Sequence, residues 1–197
     1  MRPRIKFCGM TRGVDIDAAV ALGVEYIGFV FAASSKRSVT INQAMSLRSH
    51  VRSAKTVGVF TDHSVDEIEN HARELTLDVV QLHGEPDLQK AKALSVPVIQ
   101  AFRGVPDASL LEGFLAYCPY ILIDKAEGEG TADIPAIAAL PERVRSKMFL
   151  AGGLTHENLR SASDAICPFA VDTARGIETR PGIKDHDRMS AFFSALS

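Results

Sequence analysis

Hydrophobic residues along this chain fall into short continuous runs that alternate with stretches of helical periodicity. Apolar runs rich in Val, Ile and Phe predict strands at Ile5–Cys8, Tyr26–Phe31, Thr56–Phe60, Val79–His83, Val96–Phe102, Tyr120–Asp124, Met148–Ala151 and Phe169–Asp172. Runs of this kind suit parallel strands covered on both faces. Between them, amphipathic segments such as Val14–Leu22, Val65–Leu75, Leu88–Leu94 and Ile134–Val144 predict helices. Thr40 and Ser64 are candidate N-caps, and Glu67, three residues after Ser64, completes a capping-box pattern.

Eight strand–helix units in 197 residues leave about 25 residues for each, near the minimum for such a unit. No Pro/Gly/Ser-rich linker interrupts the series, so residues 1–197 read as one domain. Eight regular units of one kind predict an α/β fold closed as a (β/α)₈, or TIM, barrel. A doubly wound open sheet is the alternative. It normally carries G-x-G-x-x-G after its first strand, and Phe-Cys-Gly-Met-Thr-Arg at 7–12 has none.

Composition narrows the function classes. A hydrophobic content of 46% supports a sizeable core without disulfides or a structural metal. The balance of 22 Lys+Arg against 24 Asp+Glu, net −2, lacks the basic excess of a nucleic-acid binder. No apolar run approaches the roughly 18 residues of a membrane span. The N-terminus lacks a secretory apolar stretch, which points to a cytoplasmic protein. Three widely spaced cysteines, Cys8, Cys118 and Cys167, argue against a disulfide framework.

In a barrel, chemistry belongs at the C-terminal strand ends and the loops that follow. Those positions hold Cys8, Phe31, Phe60, His83, Phe102, Asp124, Gly152–Gly153 and Asp172. Period-two alternation adds Lys6 beside Cys8 and Gln81 beside His83 on the same inward face. An isolated cysteine is ordinarily structural, and Cys118 and Cys167, each before a proline, fit that role. Cys8 differs because it shares a strand end with Lys6. A nearby ammonium lowers a thiol pKa from about 8.5, so Cys8 is a candidate general base. Asp124 follows an apolar run, and burial at a barrel mouth raises a carboxyl pKa, which suits a general acid.

The loops after the last two strands, Leu-Ala-Gly-Gly-Leu at 150–154 and Asp-Thr-Ala-Arg-Gly-Ile-Glu at 172–178, carry a second signal. Such loops bind phosphate through backbone N–H groups. Gly152, Gly153, Asp172, Arg175 and Gly176 are therefore candidate contacts for a small phosphorylated substrate, and Arg37 is a candidate carboxylate binder after the second strand. No H-x-x-x-H or C-x-x-C spacing appears, so a catalytic metal is not expected.

With these residues placed, the sequence resembles the phosphoribosylanthranilate isomerase family of tryptophan biosynthesis nearly end to end. The resemblance rests on Ile-Lys-Phe-Cys-Gly-Met-Thr at 5–11, Gly-Phe-Val-Phe at 28–31 with Arg37, and Val-Gly-Val-Phe at 57–60. Val-Gln-Leu-His-Gly at 80–84, Leu-Ile-Asp at 122–124, Leu-Ala-Gly-Gly-Leu at 150–154 and Pro-Gly-Ile-Lys-Asp at 181–185 continue it. It implies a cofactor-independent Amadori rearrangement, an aldose–ketose isomerisation, with Asp124 as acid and Cys8 as base. It further implies Arg37 on the anthranilate carboxylate, His83 at a ligand-contact position, and Gly153, Asp172 and Gly176 around the phosphoribosyl end. Relatives occur as monomers and homodimers.

Two loops depart from the family pattern. Thr173-Ala174-Arg175 replaces small serines, and the stretch after Asp124 reads Lys-Ala-Glu-Gly-Glu-Gly-Thr-Ala in place of Gly-Gly-Thr-Gly. Arg175 is a candidate replacement donor for phosphate. Loops 32–38 and 127–132 are candidate lids. The competing functions are a related histidine-pathway or dual-substrate isomerase, whose members generally use paired aspartates where this chain has Cys8, and an inactive phosphosugar-binding protein.

Overall fold

Eight parallel strands close on themselves in sequence order: β1 (Arg4–Phe7), β2 (Tyr26–Val30), β3 (Lys55–Phe60), β4 (Val79–Leu82), β5 (Val98–Arg103), β6 (Tyr120–Asp124), β7 (Met148–Leu150) and β8 (Ala170–Thr173). The computed structural model describes residues 2–126 and 130–196. Closure comes from β8 pairing with β1, which sets Lys6 opposite Asp172. The connecting helices are α1 (Gly13–Leu22), α2 (Ile41–Arg48), α3 (Val65–Leu75), α4 (Leu88–Ala93), α5 (Ala108–Leu115), α6 (Ile134–Ala138), α7 (Glu142–Arg145) and α8 (Leu159–Ile166). After β8 come a 3₁₀ turn (Arg175–Ile177), a hairpin of β9 (Glu178–Arg180) and β10 (Ile183–Lys184), and α9 (His186–Ser194).

Local chemistry sets several boundaries. Thr40 and Ser64 cap α2 and α3, each in a full capping box, with Gln43 and Glu67 as the reciprocal partners. The segment 134–144, expected as one helix, is two: Pro141 lacks an amide proton to continue the ladder and instead starts α7. β5 begins at Val98 rather than Val96 because Pro97 cannot donate; its carbonyl accepts from Val80 N at 2.9 Å. The hairpin β9–β10 was not anticipated.

Two apolar cores follow from strand alternation. Outward residues such as Ile5, Phe7, Phe29, Phe60 and Phe102 pack beneath the helices. Inward residues Tyr26, Val57, Val79, Ile99, Leu122 and Phe149 fill the barrel. Aromatic contacts seal its N-terminal end, with Tyr120 stacked on Phe169 at 4.4 Å and Tyr26 edge-on to Phe149 at 5.2 Å. With that end plugged, the C-terminal mouth is where chemistry has room. Among the described residues, no helix is long and apolar enough to cross a membrane.

Candidate active site

Four of the strands, β1, β4, β6 and β8, bring polar groups to the mouth. From β1, the Lys6 ammonium is fully buried and donates to Asp172 Oδ1 of β8 at 2.8 Å, while also facing the Cys8 thiol. Burial alone would lower the Lys6 pKa; the Asp172 carboxylate and Cys8 together outweigh it and raise the pKa. Cys8, just past β1, is 7% exposed, and its amide donates to Thr173 O at 2.9 Å.

The sequence-based expectation for Cys8 is corrected here. Lys6 does favour the thiolate, but burial outweighs it and the Asp172 carboxylate reinforces burial, so the thiol pKa is raised. Lys6 is also no surface on which a substrate can rest. It sits under the floor, held by Asp172, and acts on the site through its field.

On the opposite wall, Gln81 Nε2 lies 3.0 Å from His83 Nδ1, and His83 Nε2 lies 3.6 Å from Asp124 Oδ2. Burial, with help from Lys6 and Arg103, lowers the His83 pKa against the opposing pull of Asp124 and Asp172, so this imidazole is neutral at pH 7. Asp124 keeps 30% of its side chain exposed and accepts from Lys125 N at 2.8 Å. The three phenylalanines placed at strand ends by sequence, Phe31, Phe60 and Phe102, turn outward into the helix-facing core. Their inward neighbours at the mouth are Val30, Ala32, Val59 and Arg103.

A cleft of about 250 Å³ opens above these groups, lined by Arg37, Asp124, Gly152, Gly153, Asp172 and Arg175 among others. Gly152 and Gly153 both have left-handed backbones, with φ of 90° and 73°. A Cβ on Gly152 would lie 2.5 Å from Lys125 N and 3.1 Å from Asp124 Oδ1, so this glycine makes room for the acid. The Gly153 N–H donates to no protein group among the described residues, leaving it for an anion. Gly176 belongs to the 3₁₀ turn below, and Arg175 is exposed at its start. Of the candidate lids, 32–38 is described; 127–129 of the second lie outside the described residues. Among the described residues, no group of three or more metal-ligating side chains forms.

Sequence reasoning missed three charged residues. Arg103 ends β5 opposite Asp124 in register, and continuing the period-two alternation from Ala101 would have found it. Glu178 and Lys184 lie buried in the unanticipated hairpin and form an ion pair of 2.9 Å.

Comparison with known proteins is decisive for the family. The family model for N-(5'-phosphoribosyl)anthranilate isomerase matches residues 5–195. The chain belongs to the phosphoribosylanthranilate isomerase family. The isomerase of Chromohalobacter salexigens is 35% identical over 208 aligned positions, covering 100% of this chain and 95% of that one. A structure of monomers generated from the dimeric phosphoribosylanthranilate isomerase of Thermotoga maritima superposes with a TM-score of 0.87 at 35% identity, covering 98% of both chains. A phosphoribosylanthranilate isomerase solved with reduced 1-(o-carboxyphenylamino)-1-deoxyribulose 5-phosphate matches equally well, with a TM-score of 0.87, 34% identity and 98% of each chain covered.

Room for the thiol in this isomerase depends on Gly28 of β2. A Cβ there would lie 2.9 Å from Cys8 Sγ and 3.2 Å from Cys8 Cα. Gly28→Ala is therefore expected to push the thiol aside, and a kcat lowered by roughly 10²-fold while the chain stays folded is the result expected of a thiol that reacts, since misplacing a reacting group by about 1 Å costs that much. Steady-state kinetics alongside circular dichroism check it; kcat within twofold of wild type would show that the thiol tolerates the shift.

Proposed function

We propose that this chain isomerises N-(5'-phosphoribosyl)anthranilate to 1-(2-carboxyphenylamino)-1-deoxyribulose 5-phosphate, with Asp124 as general acid and Cys8 as general base. Asp124 gives a proton to the ribose ring oxygen as the C1'–O bond breaks. The aryl nitrogen lone pair then forms the C1'=N bond of a Schiff base. Cys8, as thiolate, removes the C2' proton, and the C–H electrons form C1'=C2' while the nitrogen recovers its lone pair. The resulting enolamine tautomerises to the ketone, so atoms and charge balance without an added cofactor.

The observation that carries this reading is that Asp124, at the end of β6, lines one cleft with Asp172, whose carboxylate holds Lys6 beside the Cys8 thiol at the end of β1. Asp172 and the Gly153 and Gly176 loops suit the phosphoribosyl end, and Arg37 suits the anthranilate carboxylate. His83, neutral and facing Asp124, suits orientation of the carboxyl rather than proton uptake. The partner is thus a small phosphorylated molecule, and the setting we infer is the cytoplasm. The chain acts as a monomer or as a homodimer like its Thermotoga relative.

Loss of phosphoribosylanthranilate fluorescence tests the reading. Turnover by wild type supports it, and phosphosugar binding without turnover would favour a binding protein instead. Arg175 is tested separately. One charge-assisted hydrogen bond to phosphate is worth about 1.5–3 kcal/mol, so Arg175→Ala is expected to raise KM on the order of tenfold with kcat little changed. An unchanged KM would remove Arg175 from the site.

A further inference from the structure

Behind Arg37 lies a buried charge network that the proposed chemistry does not use. The Glu178 carboxylate receives Arg37 Nε at 2.9 and 3.1 Å and Arg37 Nη2 at 2.6 Å, the Gly182 amide at 3.1 Å, and Lys184 Nζ at 2.9 Å. Lys184 spends its remaining protons on two carbonyls, Cys8 O at 2.7 Å and Ala174 O at 3.1 Å. Both side chains are buried, so neither reaches a ligand directly. A buried ion pair is often no more stabilising than an apolar pair of the same volume. Packing alone therefore does not account for this one.

What the pair touches is informative. Lys184 grips the strand end that carries Cys8 and the loop that faces the phosphate pocket. Thr11 donates to Gly182 O and Lys184 N donates to Asp15 at 3.2 Å, so the whole hairpin is fastened to the β1–α1 connection. Glu178 takes the Nε/Nη2 side of the guanidinium. Arg37 Nη1 makes no hydrogen bond among the described residues and remains for a second carboxylate at the cleft.

We propose that the Glu178–Lys184 pair is a specificity-determining positioning element: Glu178 aims Arg37 at the aryl carboxylate of the substrate, and Lys184 locks Glu178 to the strand end bearing Cys8. This rests on the reading of Arg37 as the carboxylate binder. Without Glu178, Arg37 keeps its charge but loses its aim, so the loss falls on substrates that carry the carboxylate.

The experiment compares two substrates, N-(5'-phosphoribosyl)anthranilate and the aniline analogue that lacks the carboxylate. Glu178→Gln is expected to lower kcat/KM for the first at least tenfold, mainly through KM, and to change the second less than twofold. Equal losses on both substrates, or no loss on either, would overturn the positioning role. Should the single variant strand the Lys184 charge and fail to fold, the uncharged double variant Glu178→Gln/Lys184→Met carries the same expectation. Arg37→Ala is measured alongside. A selective loss on the anthranilate substrate keeps the Arg37 reading in place while Glu178→Gln is judged. Its absence overturns that reading, and this proposal with it.

Discussion

Cys8→Ala is expected to lower kcat by roughly 10²–10⁴-fold, the usual worth of a positioned general base, while KM changes only a few-fold. Removing a group that acts on the transition state and scarcely on the bound substrate gives that pattern. Cys8→Ser is expected to be nearly as deep, although serine is close in size, because a hydroxyl does not ionise in this pH range. The reason lies in the thiol's surroundings. Burial and the Asp172 carboxylate raise its pKa, while Lys6 and Lys184 pull it down without winning. The resting thiol is therefore mostly protonated, and the rare thiolate that does form is a stronger base than an exposed one. Single-turnover kinetics on the serine variant decide the matter. A chemical step within threefold of wild type would mean that the basicity of Cys8 is not used.

The barrel was readable because the strands are short, mostly apolar runs buried on both faces, and such runs announce themselves without any knowledge of their partners. The inward set Lys6, Cys8, Gln81, His83, Asp124 and Asp172 was readable for the same reason, since alternation assigns a face. Register was not. Lys6 meets Asp172 across 166 positions of sequence, and nothing local says that these two side chains close to 2.8 Å. The sign of the Cys8 shift was misread because a neighbouring charge is visible in sequence and depth of burial is not. The Glu178–Lys184 brace was missed because β9 and β10 are 3 and 2 residues long, too short for a period. Its partners Arg37 and Cys8 lie 141 and 176 positions away.

Asp124→Asn is expected to lower kcat/KM by roughly 10²–10⁴-fold and, more tellingly, to change the shape of its pH dependence. The acid must hold its proton to donate, and the thiol must have lost its own to accept. A rate that needs one protonated donor and one ionised base rises more slowly with pH than a rate that needs the base alone. Asparagine does not titrate. In the variant only the thiol limb remains, and because burial holds that thiol above its ordinary value, residual kcat/KM should climb about tenfold per pH unit across roughly pH 6 to 8. The double variant with Cys8→Ala should lose the climb. A pH profile in Asp124→Asn no steeper than that of wild type would mean that another group donates. His83, 3.6 Å from the carboxyl, would then be the first to test, since His83→Asn would remove the remaining limb if the imidazole were the acid.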